Sequence, residues 1–191
     1  MKSGHLIGKL LRRVRAGERF LAWNDSAVLG APESIVVTSV DFADRGTMPR
    51  RFAGPGVGEN VSPALAWKGI PSAAVEIVLV MEDASVPFRR PFVHMIARGI
   101  DPRPGALPQG ALSPAEAERR GIVLGRGTMG GQGYSGPRAL PGHGPHEYHF
   151  QLFALSRRIE SRRPLGRDEL LAAVKSAVIA RGRIVGLFEQ P

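Results

Sequence analysis

The sequence predicts a mainly β protein, an antiparallel β-sandwich with a few short helices and an amphipathic helix at the N-terminus. From residue 34 onward, runs of β-branched and apolar residues recur, and Gly/Pro turns such as GPG at 54–56 separate them. Only one later run, at 168–180, has convincing helical spacing. Because strand and helix patterns do not alternate regularly, a parallel α/β sheet is disfavoured and an antiparallel sandwich is expected.

The chain divides into an N-terminal segment, residues 1–32, and a predicted β-sandwich domain, residues 33–191. Over residues 5–23, apolar and basic residues alternate with the spacing of an amphipathic helix, and residues 24–32 then look like a linker. The helix could pack on its own domain, pair with a second subunit to form a homodimer, or lie on an anionic membrane surface. Packing of the helix on its own domain together with pairing to a second subunit is favoured over membrane binding, because the apolar stripe is short. The stripe comprises Leu6, Ile7, Leu10, Leu11 and Val14.

The main strands are predicted from local composition. In chain order they lie at 34–40, 75–81, 92–98, 148–155 and 183–189. The run at 75–81 (VEIVLVM) is almost continuously apolar, as expected of an interior strand. The predicted helix at 168–180 carries its apolar residues on one side, and Gly182 follows as a stop signal.

A long Gly/Pro-rich connection spans residues 99–147 and holds 12 of the 24 glycines. A connection of that length inside a compact domain is usually functional or disordered. The stretch at 133–148 (GYSGPRALPGHGPHEY) contains both tyrosines and two of the five histidines. Glycines permit close backbone approach to a ligand, and His and Tyr side chains offer donors to an anion. This stretch is therefore predicted to bind a ligand.

Composition excludes several classes of function. The chain has no cysteine, so disulfides, thiolate zinc sites and a cysteine nucleophile are ruled out, and a cytoplasmic location is expected. No apolar run is long enough to span a membrane. The formal net charge is +9, but residues 1–24 alone carry six Lys or Arg residues against one Glu. Because no basic stripe is interleaved with aromatic residues, no nucleic-acid partner is expected.

Alternation along 148–155 predicts which side chains face the core. Tyr148 and the residues two and four places after it are apolar. His146 shares their parity, so it should lie at the mouth of the core beside Tyr148, whereas His149 should point to the opposite face. On the strand predicted before the long connection, His94 has apolar residues two places away on either side, which also puts it on an apolar face.

An acidic pair ends the apolar strand at 75–81. Asp83 could accept a hydrogen bond from a histidine and hold it in one tautomer, whereas Glu82 is interpreted as a solvated loop acid. The two core-facing histidines, Tyr148 and backbone amides near Arg138 would supply donors to a phosphate group. Because Asp83 would repel a dianion, its expected role is to orient a histidine and to favour the protonated form.

Further motifs follow in a fixed order: GENVSPALAW at 58–67, IP at 70–71, LPQG at 107–110 and the stretch at 133–148. With these motifs the chain resembles the phosphatidylethanolamine-binding proteins, also called Raf kinase inhibitor proteins, and most closely their bacterial YbhB/YbcL-like branch. The resemblance extends over nearly everything from about residue 34 to residue 190. It implies a β-sandwich with a small surface pocket that binds anions such as phosphate groups, in a family with some members that inhibit kinases or proteases.

The expected ligand-binding residues come from this resemblance and from the parity of the strands. They are Asp83, Pro87, His94, Gly136, Pro137, Arg138, His146 and Tyr148. Within the family's Asp-Pro-Asp-x-Pro signature, Ser85 replaces the second acid. Ala139 and Leu140 stand where prolines are usual, and Glu147 stands where the family has Arg between its His and Tyr. These departures remove one negative and one positive charge near the pocket.

The predicted function is therefore the binding of a phosphate-type anion, such as phosphoethanolamine, a phospholipid head group or a phosphorylated small molecule. The role would be regulatory, with a protein kinase or a protease as a partner to consider. The alternative is a weak hydrolase or phosphoryl-handling enzyme in which Asp83 and His94 act as general base. No nucleophile elbow or Walker loop accompanies them, and Ser85 is interpreted as turn chemistry.

No cofactor and no metal are expected. The candidate metal ligands are His143, His146 and His149, which are spaced three residues apart. Because His146 and His149 should point to opposite faces of one strand, a metal ion shared by the three is disfavoured.

Overall fold

The computed structural model describes residues 2–190, which form two β-sheets and three short α-helices. The strands are β1 Val36–Thr38, β2 Gly46–Thr47, β3 Leu65–Lys68, β4 Glu76–Asp83, β5 Phe92–Ile100, β6 Ala106–Leu107, β7 Val123–Leu124, β8 His146–Leu155 and β9 Val178–Phe188. The α-helices are α1 Lys2–Leu11, α2 Pro114–Arg119 and α3 Arg167–Val174. None of these helices is long and apolar enough to cross a lipid bilayer.

The larger sheet has the strand order β2-β9-β8-β4-β5-β7, and the smaller sheet has the order β1-β3-β6. Strand β4 lies between β8 and β5 and is antiparallel to both. β2 and β9 are parallel, and the other pairs among the described strands are antiparallel. The predicted mainly β, largely antiparallel fold is confirmed.

An apolar core fills the space between the two sheets. The smaller sheet contributes Val37 and Trp67, and the larger sheet contributes Met81 and Phe150, all of them buried. Residues of even number along β8, beginning with Tyr148, face this core, as the alternation of the sequence predicts. Burial of such side chains is the main term that holds two sheets together.

The other face of the larger sheet is also covered. Val80 and Phe153 pack there against Leu170 of α3 and against Trp23 of the N-terminal segment. Every residue of β4 is buried as a result. A strand buried on both faces explains the nearly unbroken apolar run that the sequence shows at 75–81.

The N-terminal helix is shorter than predicted. Instead of extending over 5–23, α1 ends at Leu11, and the chain continues through two single-turn 3-10 helices, Glu18–Phe20 and Ala22–Asn24. After α1 the backbone pairs with the loop that follows β4 instead of forming helical hydrogen bonds. Ala16 N–H donates to Val86 O at 2.9 Å, and Gly17 N–H donates to Ala84 O at 3.0 Å. Residues predicted to be helical therefore pair with the loop after β4, and the expected linker is packed as well, because its Val28 is buried in the core cluster on the outer face of the larger sheet.

The C-terminal helix was also predicted too long. It ends at Val174 rather than at residue 180, and β9 begins at Val178 instead of at residue 183. Ser176 adopts a left-handed conformation, with φ of +62°, which turns the chain back toward the sheet. The β-branched pair Val178 and Ile179 then extends the strand, where Val178 pairs with Leu155.

The long connection at 99–147 contains β6, α2 and β7. Helix α2 begins where Ser113 accepts a hydrogen bond from Glu116 N–H and Pro114 occupies the first turn, two standard N-terminal signals. The remaining part, from residue 125 to residue 145, has no helix or strand and leads into β8 beside the end of β4.

Candidate functional site

Asp83 and His146 are brought together by the pairing of β4 with β8. Asp83 is the last residue of β4 and lies opposite Tyr148, two residues after His146. The Nδ1 atom of His146 donates to Oδ2 of Asp83 at 2.6 Å. The other carboxylate oxygen accepts from Ser85 N–H at 2.7 Å, so both oxygens of Asp83 are engaged. Each of the two side chains is only 2% exposed.

His94 reaches the same place from β5. Its Nδ1 atom donates to the carbonyl oxygen of Ser135 at 2.7 Å, which leaves Nε2 as the free nitrogen of the ring. The edge of the His94 ring meets the Tyr148 ring, with 5.1 Å between centroids. Burial lowers the pKa of His94 below its ordinary value of 6.5, and the negative charge of Asp83 only partly opposes this. His94 is therefore mostly neutral at pH 7.

Tyr148 has a buried hydroxyl with no hydrogen-bond partner among residues 2–190. Burial raises the pKa of this phenol well above its ordinary value, and the nearby carboxylate of Asp83 raises it further, both by its charge and as a close acceptor whose contact with the hydroxyl falls short of hydrogen-bond geometry. The backbone N–H of Arg138 is near enough to lower the pKa, although it does not reach hydrogen-bond geometry with the hydroxyl. Nearly all buried polar groups in folded proteins have a partner. The unpaired hydroxyl is therefore a candidate contact for a ligand.

Asn60, in the GENVSPALAW motif, fixes the loop beside these side chains. Its amide nitrogen donates to Tyr134 O at 3.1 Å, and its amide oxygen accepts from Gly136 N–H at 2.8 Å. Gly136 is required by space, because a Cβ atom at this position would lie 2.1 Å from the carbonyl oxygen of Phe52. The motif thus positions the loop that borders these side chains.

The remaining predicted residues lie at the edge of the cluster. Pro137 is buried, and its carbonyl oxygen accepts from Gly54 N–H at 3.0 Å. The side chain of Arg138 is exposed, so only its backbone amide faces Tyr148. Pro87 is half-buried in the loop that follows β4. The structure brings Asp83, His94, His146 and Tyr148 together. That these residues bind a ligand stays a prediction.

The cluster is almost closed to solvent. Its most accessible member is His94, which is 6% exposed, and Tyr148 is fully buried. Clefts of about 620 Å³ beside Phe88 and about 660 Å³ beside Pro49 lie elsewhere on the described surface. The expected open hollow is instead a tight, nearly closed cluster.

His143 is a member of the site that the sequence prediction left out. Its Nδ1 atom lies 2.8 Å from Nε2 of His146, and its Nε2 atom lies 2.9 Å from Leu11 O and 3.2 Å from Val14 O. Since carbonyl oxygens accept, His143 Nε2 carries a proton and Nδ1 accepts from His146. The sequence signal was its position three residues before His146 in the Gly-rich loop.

The resulting chain of hydrogen bonds fixes the number of protons. Three bonds link the backbone carbonyls, His143, His146 and Asp83, and each bond requires one proton. Two neutral imidazoles supply two protons, so the third belongs to the Asp83–His146 pair. Burial and the adjacent His146 lower the pKa of His143, in keeping with a neutral His143. Asp83 is accordingly neutralised by its partner.

Two other polar residues near the site have structural contacts. Glu82 is fully buried, which contradicts its interpretation as a solvated loop acid. It accepts from Ala22 N–H at 2.6 Å and from Nε of Arg167 at 2.7 Å, on the face of β4 opposite the cluster. Ser85 accepts from Glu147 N–H at 3.0 Å. The Ser85 hydroxyl thus contacts the backbone of β8, 62 residues along the chain, and only its backbone N–H makes the turn contact, with Asp83.

Comparison with known proteins gives consistent results. The sequence model of the phosphatidylethanolamine-binding protein family matches residues 38–189. A UPF0098 protein of Pyrococcus abyssi is 33% identical over 162 residues, which cover 84% of this chain and 88% of that protein.

Two solved structures share the fold. Protein CT736 of Chlamydia trachomatis has a TM-score of 0.73 at 26% identity, covering 83% of this chain and 99% of that one. YbcL of E. coli has a TM-score of 0.76 at 24% identity, again covering 83% of this chain and 99% of that one.

Proposed function

Because the chain belongs to the phosphatidylethanolamine-binding protein family, we propose that it binds a small phosphorylated group at the cluster of Asp83, His94, His146 and Tyr148. The proposed role is regulatory rather than catalytic. The observation that carries the proposal is the Tyr148 hydroxyl, which is buried, unpaired among residues 2–190 and adjacent to His94. An anion that accepts a hydrogen bond from this hydroxyl would remove an unfavourable buried group.

Three donors converge on the proposed anion. They are the Tyr148 hydroxyl, the backbone N–H of Arg138 and Nε2 of His94 in its protonated form. Nδ1 of His94 already donates to Ser135 O, so the ring is held with Nε2 available. Hydrogen bonds between such donors and a phosphate oxygen are charge-assisted and stronger than neutral ones.

The carboxylate of Asp83 does not oppose this function, because His146 compensates its charge. Both of its oxygens are engaged, one by His146 Nδ1 and the other by Ser85 N–H. The nearly closed cluster also leaves Asp83 only 2% exposed to the ammonium group of phosphoethanolamine. We therefore propose that the phosphate moiety supplies most of the affinity, and that phosphate and phosphoethanolamine bind with similar strength.

The same contacts argue against the hydrolase alternative. Asp83 holds His146 rather than His94, so the pair named as general base has no hydrogen bond between its members in the described chain. Ser85 is committed to the backbone of Glu147. A kinase or protease partner and a cytoplasmic location stay predictions from sequence.

The test is an NMR titration of the full chain with phosphate, phosphoethanolamine and, for comparison, acetate. Imidazole resonances report directly on the cluster, because the chain has only five histidines. We expect the His94 and His146 signals to shift together and to saturate with both phosphate ligands. His5 lies on α1 outside the cluster and serves as an internal control whose signal stays unchanged.

Two variants complete the experiment. His94→Gln should abolish saturable binding, and His5→Gln should leave it unchanged. If neither cluster histidine responds to phosphate at millimolar concentration, the proposed site is wrong. If an ester is hydrolysed in a way that depends on Asp83, the enzyme alternative takes its place.

A further inference from the structure

A second group of polar side chains lies on the opposite face of β8. Glu147 and His149 are two residues apart on this strand and therefore share a face, and Glu18 approaches them from the first 3-10 helix. Each residue offers one ligand atom, and these atoms all lie within 4.8 Å of one another. The group is separate from the proposed anion site, which lies on the inter-sheet face of the same strand.

His149 is the unusual member of this group. It is fully buried, and neither of its ring nitrogens has a hydrogen-bond partner among residues 2–190. Nε2 lies 3.6 Å from Oε2 of Glu147, too far for a hydrogen bond. Because neither nitrogen is used by a partner among residues 2–190, one can carry the ring proton while the other offers its lone pair to a metal ion.

Each of the two carboxylates is held in place by an arginine. Nη1 of Arg45 contacts Oε1 of Glu147 at 3.2 Å, and Nη1 of Arg183 contacts Oε2 of Glu18 at 3.0 Å. Each arginine uses one oxygen, which leaves Oε2 of Glu147 directed at His149. Partners of this kind orient metal-ligating carboxylates in known metal sites.

The spacing of the ligand atoms suits an ion, and a cavity reaches the two carboxylates. Two ligands of a tetrahedral zinc ion, each at about 2.0–2.1 Å, lie about 3.3 Å apart, close to the 3.6 Å between His149 and Glu147. Glu18 and Glu147 also line a cavity of about 380 Å³, together with Arg15 and Ser85. This cavity has room for the water molecules that would complete the coordination shell.

We propose that Glu18, Glu147 and His149 form a binding site for a divalent transition-metal ion of the zinc type. One imidazole and two carboxylates match the ligand preference of Zn²⁺, whereas Mg²⁺ prefers oxygen ligands alone. The ion would join the N-terminal segment at Glu18 to β8. Glu147, which stands in place of the arginine of the family motif, supplies a negative ligand, and Arg45 and Arg183 offset part of the negative charge of the two carboxylates.

The test uses the full chain, stripped with EDTA and then desalted. Isothermal titration with ZnCl₂ at pH 7.5 should show one Zn²⁺ per chain, and one equivalent should raise the Tm. MgCl₂ should neither bind stoichiometrically nor raise the Tm. In NMR spectra, Zn²⁺ should shift the His149 ring signals while those of His94 and His5 stay in place.

Variants assign the ligands. Glu147→Gln and Glu18→Gln keep the side-chain shape and should each weaken Zn²⁺ binding by about tenfold or more. Glu33→Gln changes an exposed acid elsewhere and should have no effect. The proposal is overturned if Zn²⁺ does not bind stoichiometrically, if it binds equally well to Glu147→Gln, or if it shifts other histidines instead of His149. Because the NMR result uses the unaltered chain, it decides the question even if a variant fails to fold.

Discussion

His94 Nδ1 lies 2.7 Å from the carbonyl oxygen of Ser135, a contact between strand β5 and the Gly-rich loop 41 residues later in the chain. This contact decides the chemistry of the cluster, because it assigns the ring proton to Nδ1 and leaves Nε2 bare in the neutral form. A bare nitrogen repels a phosphate oxygen, whereas a protonated one attracts it. Anion binding should therefore be linked to the protonation of His94.

The first prediction concerns this linkage. Burial lowers the pKa of free His94 below 6.5, and a bound anion should raise it. Phosphate affinity should then increase as the pH falls from 8 to below 6.5, with the uptake of one proton on binding. Calorimetric titrations in buffers of different ionisation enthalpy measure this uptake. Affinity that is constant over this range in the wild-type chain would contradict a role for protonated His94.

The second prediction separates a binding role of Tyr148 from a structural one. Tyr148→Phe removes a buried hydroxyl that has no hydrogen-bond partner among residues 2–190. An unsatisfied buried polar group destabilises by about 1–3 kcal/mol, so the Tm of the variant should stay equal or rise. Phosphate affinity should fall about tenfold or more, because a charge-assisted hydrogen bond is lost.

Thermal denaturation measures the Tm of Tyr148→Phe, and the NMR titration measures its phosphate affinity. A variant with a clearly lower Tm and unchanged phosphate affinity would show that the hydroxyl is structural.

The third prediction concerns stability at acid pH. His94 is buried, and its folded-state pKa is lower than its value of 6.5 in an unfolded chain. Between these two values the unfolded chain binds more protons, so the free energy of unfolding should decrease as the pH falls below 6.5. Above pH 6.5 the free energy of unfolding should not depend on the protonation of His94. Urea denaturation across pH 5 to 8 measures the slope, and His94→Gln should make it shallower.

The fourth prediction concerns the loop. A Cβ atom at Gly136 would lie 2.1 Å from Phe52 O, whereas a Cβ atom at Gly131 would have no heavy atom within 4 Å. Gly136→Ala should therefore displace the loop, destabilise the fold by about 1–3 kcal/mol and weaken phosphate binding. Gly131→Ala should leave both quantities nearly unchanged. Equal stability of the two variants would mean that the loop is not held as described.

The fifth prediction concerns the docking of α1. A Cβ atom at Gly8 would lie 2.0 Å from Pro141 O, whereas Gly4 has open space around the same position. Gly8→Ala should separate α1 from the loop and break the contact of His143 with Leu11 O, although alanine favours helix formation. Hydrogen exchange in residues 4–11 should become faster in Gly8→Ala and not in Gly4→Ala.

Local patterns in the sequence were sufficient to predict much of the fold. Strict alternation placed Tyr148 and His146 on the inter-sheet face of β8 and His149 on the other face. The continuous apolar run at 75–81 indicated a strand covered on both sides, because no polar residue alternates through most of it. Such signals depend on side chains within one strand, and the structure confirms them.

Local sequence patterns did not predict the contacts between segments that are distant in the chain. Residues 12–23 were predicted to continue the helix, but backbone pairing of Ala16 and Gly17 with the loop after β4 overrides that preference. The same packing brings Glu18 to His149 and buries Glu82, neither of which the sequence suggested. His143 was missed because its partners include the carbonyl of Leu11, 132 residues away.

The most direct test of the central claim is a crystal structure of the protein grown in phosphate. We expect a phosphate ion with oxygens at about 2.7–3.0 Å from Nε2 of His94 and from the Tyr148 hydroxyl. The Asp83–His146 hydrogen bond should be retained beside the ion. A cluster without phosphate at saturating concentration, in which a protein group satisfies the Tyr148 hydroxyl, would contradict the proposed function.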